Sequence, residues 1–323
     1  MPKVSFVLPA YKRRFLKEAI ASILAQTYRD FELVVVDDCS PENLKEVVDE
    51  FHDERLTYHR NEKNLGGTDL VAAWNHAMTY ATGEWCVLAS DDDVHHREYL
   101  AEMVRLSEKY PQVNLVHCRN CDIDADGKVK WVGNSRAEYE SGIQMLYSSS
   151  VLRVPQRMAD LMFKRKAYEA MGGFPSYPLA WYSDHVFAIK LAWDGGAVCS
   201  DKALFMYRNS SETISSSGIG IGKKIEAGMS FLQDMTNLLD QVEEERLDYD
   251  DRLVLPLCRD GIKQRVYELI GRELAGLPFL EFRRTLRDSS LPTAEKRRLM
   301  KSRLVSWLNL RRYLPRWSSG PRF

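Results

Sequence analysis

Ser90-Asp91-Asp92-Asp93 sets three carboxylates side by side at the end of an apolar run. Adjacent carboxylates repel one another, and a divalent cation relieves that repulsion. Hard ions such as Mg²⁺ and Mn²⁺ prefer oxygen ligands. An Asp-rich loop that merely caps the next helix would look the same in isolation. Two further polar elements close apolar runs upstream: Pro9-Ala10-Tyr11 follows Val4–Leu8, and Asp37-Asp38 follows Phe31–Val36. The question is whether the chain folds so that these three points meet.

The first hundred residues alternate strand and helix patterns. Val4–Leu8, Phe31–Val36, a short run around Leu56-Thr57-Tyr58, and Trp85–Ala89 read as strands. Three consecutive valines in the second suit a strand buried on both faces. Between them, Leu16, Ala19, Ile20, Ile23 and Leu24 share one helical face. So do Leu44, Val47, Val48 and Phe51, and then Leu70, Ala73, Trp74, Ala77 and Met78. Repeated β–α units imply an α/β fold with a mostly parallel sheet, whose ligand site lies at the carboxyl ends of its strands. The three polar elements are therefore expected on one sheet edge.

From about 101 to 221 the pattern changes. Leu115-Val116-His117 reads as a strand, and Asp124-Ala125-Asp126-Gly127-Lys128 as a hairpin turn that returns Val129–Val132 antiparallel. Gly172-Gly173 stops a short helix. Ser183-Asp184 opens another, which Gly195-Gly196 closes. From 222 to 323 the periodicity is helical. Ile225, Met229, Leu232, Met235, Leu238 and Leu239 form one face, and a second helix spans roughly 252–275 with Pro256 as a potential bend. Residues 283–323 hold 12 Lys or Arg against two acids, interleaved with Trp307, Leu308, Leu310, Tyr313, Leu314 and Trp317. The expected units are thus 1–100, 101–221 and 222–323.

The chain has 323 residues, 45% hydrophobic and 28% charged, and a net charge of −1, so no overall field favours nucleic acid. Of six cysteines, only Cys118 and Cys121 form a CxxC pair; without a second pair they read as reduced structural thiols rather than a zinc site. His95 and His96 read as surface residues. No signal-peptide apolar region opens the chain, and no apolar run is long enough to span a bilayer, which sets the expectation of a cytoplasmic protein. No GxGxxG follows the first strand, which argues against a dinucleotide oxidoreductase.

Val7-Leu8-Pro9-Ala10-Tyr11, Ile20–Tyr28, Val35-Val36-Asp37-Asp38-Cys39-Ser40, Asn64-Leu65-Gly66, Ala81–Trp85 and Ser90–Asp93 resemble, in that order, the opening of a family 2 glycosyltransferase with the GT-A fold. Gly172-Gly173-Phe174 and Ser183-Asp184 extend the resemblance to about residue 215. It implies an inverting enzyme that moves a sugar from a nucleotide-sugar, usually a UDP-sugar, to a saccharide or lipid-linked acceptor in surface polysaccharide synthesis. A non-catalytic GT-A module that only binds nucleotide-sugar or glycan is the alternative.

The resemblance also implies roles. Pro9, Ala10, Tyr11 and Asp38 would hold the base: the Asp38 carboxylate can accept the uracil N3–H, and Tyr11 can stack on the ring. Asp38 as a helix cap is compatible with this. Lys12 stands where an asparagine is often found. Asn64 and Gly66 join the nucleotide site. Asp91 would reach the ribose or a metal-bound water, Asp92 would be the main ligand of Mn²⁺ or Mg²⁺, and Asp93 would support it. Ser90 occupies the first acidic position of the usual motif. Asp184 matches the catalytic base, which takes the acceptor proton as its oxygen attacks the anomeric carbon; Ser183 replaces the usual Glu and is also a good N-cap. In Tyr207-Arg208-Asn209-Ser210, Ser210 replaces a histidine that helps hold the diphosphate. Arg208, or a lysine of the 218–224 loop, which reads as a lid over phosphates or as a plain linker, would take over, or the diphosphate is held less tightly. Trp181 and Tyr182 would stack on the acceptor or pack in the core. The basic tail fits an amphipathic helix in peripheral contact with the inner membrane face, or a helix packed on the body.

Overall fold

The computed structural model describes residues 2–209 and 220–307. Ser210, Gly218 and the tail from Leu308 lie outside the described residues. The first half alternates β1 (Val4–Ala10), α1 (Leu16–Leu24), β2 (Phe31–Asp37), α2 (Leu44–Val48), β3 (Leu56–Arg60), α3 (Leu70–Met78) and β4 (Trp85–Leu88). Its four strands pair in parallel in the order β3-β2-β1-β4. Their period-two burial explains the layering. Val4, Phe6 and Leu8 enter one core with Phe31, Leu33, Val35, Trp85 and Val87, while Val7, Val34, Val36, Cys86 and Leu88 enter the other. Helices α1 and α2 cover the first face, and α3 covers the second.

The second half contains β5 (Val94–His95), α4 (Tyr99–Lys109), β6 (Leu115–Ile123), β7 (Val129–Val132), β8 (Tyr139–Glu140), α5 (Gly142–Leu146), β9 (Leu161–Lys164), α6 (Arg165–Ala170), α7 (Ser183–Trp193) and β10 (Ala197–Arg208). The sheet continues from β4 through β9, which is antiparallel to both β4 and β6. Strand β10 then lies parallel to β6, with β5 antiparallel beyond it. The sheet is therefore mixed, parallel through its first four strands and reversed at β9. The hairpin from β6 to β7 forms as expected. Gly172 and Gly173, both at positive φ, end α6. His95 is buried in β5 rather than on the surface, its Nε2 2.8 Å from the Ala159 carbonyl, and burial lowers its pKa to about 4.

Helices α8 (Ile221–Asp240), α9 (Tyr249–Ala275), α10 (Phe279–Asp288) and α11 (Thr293–Trp307) complete the chain. They extend the second core. Ile225, Phe231, Met235, Leu255, Cys258 and Ile262 belong to the same cluster as Ile143, Leu146, Val186 and Phe187. The buried line of α8 is Ile225, Phe231, Met235 and Leu239, whereas Met229, Leu232 and Leu238 are half-buried. Helix α9 runs through Pro256 without a break. The described part of the expected lid is not a loop: Gly220 precedes α8, and Lys224 lies in its first turn.

Candidate active site

The carboxyl ends of β1, β2 and β4 converge on a cleft of about 610 Å³. Pro9, Ala10, Tyr11 and Lys12 follow β1; Asp38 follows β2; Ser90, Asp91, Asp92 and Asp93 follow β4. Asn61, Asn64 and Gly66 close one side, and Arg157, Met158, Asp184 and Tyr207 the other. Positions 38, 92 and 184 thus share one opening, because the parallel sheet aligns its strand ends.

The two aspartates after β2 do different work. Asp37 is fully buried; it accepts from Tyr58 Oη at 2.6 Å, from Ser40 N at 2.7 Å and from Arg60. Asp38 faces the cleft and caps no helix. Its Oδ1 accepts from Asn61 Nδ2 at 2.8 Å and Leu65 N at 2.9 Å, and its Oδ2 from Gly66 N at 2.7 Å. A Cβ on residue 66 would sit 3.0 Å from Asp38 Oδ2, so glycine permits this close approach. A carboxylate offers about four acceptor sites, which leaves room for one more donor.

In the acid cluster, Asp91 Oδ2 accepts from Tyr11 N and Lys12 N, both at 2.8 Å. This ties the β1 loop to the β4 end. Burial pushes the Asp91 carboxyl up to about 6, against the pull of those two N–H groups. Asp93 accepts from Arg208 N at 2.8 Å; burial and the neighbouring Asp92 hold its carboxyl well above the usual range. Asp92 is contacted at both oxygens: Ser90 Oγ donates to its Oδ1, and Lys12 Nζ lies 3.6 Å from its Oδ2.

Arg208, expected on the diphosphate, is 1% exposed and does not line the cleft. Its guanidinium donates to the carbonyls of Asp92 at 2.8 Å, Asp124 at 3.2 Å and Ala125 at 3.3 Å, and to Glu18 at 2.6 Å, with the Phe15 ring beneath. It clamps the acid loop from behind. Lys224 is likewise engaged, by Glu273 at 2.8 Å. Trp181 and Tyr182 also miss the cleft. The Lys224 ammonium sits 4.3 Å from the Trp181 ring centre, and Tyr182 stacks on Phe231 at 4.4 Å, so both pack toward α8.

Asp184 is the second residue of α7, and Ser183, its first, is not the cap. The cap position falls to Tyr182 at φ 74°, and Ser183 Oγ has no hydrogen-bond partner among the described residues. Asp184 Oδ1 accepts from His185 N and lies against His185 Nδ1, both at 2.9 Å. Burial alone would raise the Asp184 carboxyl; the adjoining His185 outweighs it and holds the pKa below its ordinary value. Burial depresses the His185 imidazole, but Asp184 more than reverses this and leaves it raised. Gln156 Nε2 donates to the Asp184 carbonyl at 3.4 Å, and the Arg157 guanidinium lies 4.1 Å from the Tyr207 ring centre.

No cluster of three metal-ligating side chains exists among the described residues. The donor set still fits a small hard cation, which binds through one or two carboxylates and completes its shell with phosphate and water. Asp92 would supply one carboxylate, through an Oδ2 met, among the described residues, only by the Lys12 ammonium at 3.6 Å. Asp93, its Oδ1 engaged and its carboxyl pushed toward the neutral form, stands behind it.

Asn61, Arg157 and His185 contribute to the site without having stood out in the sequence, and Tyr207 was named there only as the start of the segment that holds Arg208. His185 had a signal, its place beside Asp184. Asn61 ends the run after β3. Arg157 had none, because its position depends on β9.

The sequence pattern of Glycosyl transferase family 2 matches residues 5–174. A Haemophilus influenzae protein named an uncharacterized glycosyltransferase is 26% identical over 190 residues, 58% of this chain and 61% of its own length. The Campylobacter jejuni GalNAc(5)-diNAcBac-PP-undecaprenol beta-1,3-glucosyltransferase is 32% identical over 133 residues, 40% of this chain and 41% of that protein. Both matches span less than two thirds of the relative's length. S. aureus TarS (residues 1–349) in complex with UDP-GlcNAc superposes with a TM-score of 0.67 at 16% identity, over 98% of this chain and 95% of that one, a likeness of fold. With half of its length matched, the chain belongs to glycosyl transferase family 2.

Proposed function

We propose that the chain transfers a sugar from a UDP-sugar to a saccharide or lipid-linked acceptor with inversion at the anomeric carbon. The observation that carries this is the single cleft holding Asp38, Asp92 and Asp184. The names of the relatives support the finer points: TarS is seen with UDP-GlcNAc, and the Campylobacter relative is named for an undecaprenol-diphosphate-linked acceptor. With such an acceptor the reaction belongs at the cytoplasmic face of the membrane.

Tyr11, 42% exposed, offers its ring to the base, and Asp38 keeps an acceptor site for the uracil N3–H. Pro9, Ala10, Asn64 and Gly66 shape that pocket. Asp91 fixes the β1 loop through Oδ2 and turns its other oxygen to the ribose. Asp92, backed by Asp93, would hold Mn²⁺ or Mg²⁺, which when bound neutralises charge developing on the leaving diphosphate. Asp184 acts through Oδ2, since Oδ1 is held by His185. The acceptor oxygen bonds to the anomeric carbon as the bond to the diphosphate breaks, and the hydroxyl proton passes to Asp184. A lowered carboxyl pKa keeps it ionised, and therefore a base, at neutral pH.

Asp184→Asn should leave UDP affinity unchanged and lower transfer by about a hundredfold or more, the usual contribution of a positioned base. Calorimetry and product analysis by NMR would measure both. Retained turnover would remove Asp184 from the mechanism; donor binding by wild type with neither transfer nor hydrolysis would leave a binding module.

A further inference from the structure

The hairpin of α10 and α11 carries a groove of about 780 Å³ that shares no residue with the cleft. Leu280, Leu286, Met300 and Leu304 give it an apolar floor, and Leu280 is 78% exposed. Six Lys or Arg side chains surround that floor, and no Asp or Glu lines it. Two of the six are engaged. Lys296 Nζ donates to the carbonyls of Arg287 at 2.8 Å and Ser289 at 2.6 Å, closing the end of α10, and Arg287 pairs with Asp288 at 2.7 Å. Arg283, Arg284, Arg297 and Lys301 make no hydrogen bond or ion pair among the described residues.

We propose that this groove docks the chain on a bilayer of anionic phospholipids. Like-charged side chains gathered around exposed leucines repel one another unless an opposite charge lies among them. Free phosphate would answer the cations but leave the leucines in water. A bilayer surface answers both, with headgroups for the arginines and the acyl boundary for Leu280 and Leu304. The chain's own residues 308–323 are an ill-matched occupant: they carry four arginines and no acid. Docking rests on the lipid-linked-acceptor reading for its purpose, since it would bring the cleft to such an acceptor, but not for its evidence.

The test is flotation of the full chain, without donor, on vesicles of phosphatidylcholine alone or with phosphatidylglycerol. Each basic residue near an anionic surface changes partition roughly fivefold. The variant R283Q/R284Q/R297Q/K301Q should therefore bind anionic vesicles at least about a hundredfold more weakly. Its melting temperature and UDP affinity should match wild type, and wild-type binding should weaken at high salt. A second full-length variant, R311Q/R312Q/R316Q, should keep most of the binding. Equal binding to neutral vesicles, retention by the groove variant, loss confined to the tail variant, or dimerisation of wild type that buries the groove would each overturn the proposal. Because no donor is present, failure here leaves the chemistry at Asp184 standing.

Discussion

One wall of the cleft and the segment 117–183 are built to different standards of completeness. On the side of β1, β2 and β4, the acids already have donors: Asp38 accepts three hydrogen bonds, Asp91 two from backbone, and Asp93 one from the clamped Arg208. Elsewhere polar atoms are buried without them. All but two of the buried side-chain atoms that lack a hydrogen bond among the described residues belong to residues 117–183, including Asn120 Oδ1, Gln156 Oε1, Arg157 Nε, Asp160 Oδ1 and Ser183 Oγ; of that segment's unsatisfied residues only Arg157 lines the cleft, and one of the two exceptions, Asn61 Oδ1, lies on the first side. The acids of the first wall are hydrogen-bonded before any ligand arrives, as suits a group recognised in one pose. The segment 117–183 holds hydrogen-bonding capacity at a cost in stability, since each orphaned buried group is unfavourable by about 1–3 kcal/mol.

Breaking the finished wall should have the largest effect. Arg208→Met keeps the volume and removes the donors to Glu18 and to three carbonyls. Stability should fall by about 1–3 kcal/mol, because the carbonyls lose a charged donor while the half-exposed Glu18 returns to water. UDP affinity should fall with it, since the acid loop loses its backing. Urea unfolding and calorimetry would measure the two. A loss below about 1 kcal/mol would show that the loop holds its shape without the clamp.

The segment with unsatisfied groups, behind the cleft lining, should respond in the opposite direction. Asp160 is fully buried, with Asn120 Nδ2 3.0 Å and Arg157 N 3.2 Å from Oδ2, and burial pushes its carboxyl up to about 7. The folded state therefore keeps this proton while the unfolded chain releases it near the ordinary carboxylate value. Between those two values the native state binds more protons, so Asp160 lowers stability progressively as pH rises from about 4 to about 7. Asp160→Asn removes that penalty and can still accept both hydrogen bonds. Its melting temperature should exceed that of wild type, by more at pH 8 than at pH 5, in paired thermal scans. A gain independent of pH would mean that Asp160 does not titrate in this range.

The same contrast explains what could be read from the sequence. Apolar runs with period-two burial identify β1, β2 and β4, and in a parallel sheet their carboxyl ends must adjoin; that rule brings Asp37-Asp38 and Asp91-Asp92-Asp93 to one edge, while the choice of Asp38 and Asp92 among them rests on the family resemblance. Strand β9 reverses direction between β4 and β6, and that orientation is set by partners far along the chain rather than by any turn beside it. Arg157 and Asp160 are placed by that strand, so both stayed hidden, whereas Asp184 on the same side of the cleft as Arg157 was implied by the family resemblance. Arg208 was misread for a related reason. An arginine beside a loop of acids suggests phosphate, but its true partners are carbonyls 83 to 116 residues away and Glu18. Trp181 and Tyr182 turn toward Phe231 and Lys224 because Leu179, Ala180 and Tyr182 adopt positive φ, a path that no pattern of non-glycine residues foretells.

The smallest effect should come from Lys12, at the edge of the finished wall. Its ammonium, 3.6 Å from Asp92 Oδ2, is a tethered cation beside the carboxylate best placed to hold a free one. The two positive charges compete for the same oxygen, while both attract a diphosphate. Lys12→Asn should therefore act in two directions. Mn²⁺ affinity, measured by calorimetry in the presence of UDP, should rise about two- to fivefold, the range for a partly exposed ion pair. UDP affinity without metal should fall, because one of the two cationic side chains among the described residues that line the cleft, Lys12 and Arg157, has gone. An unchanged Mn²⁺ affinity would mean that the ion pair breaks when the donor enters, so that Lys12 serves the diphosphate alone. A fall in both affinities would place its ammonium among the groups that organise Asp92 rather than those that compete for it.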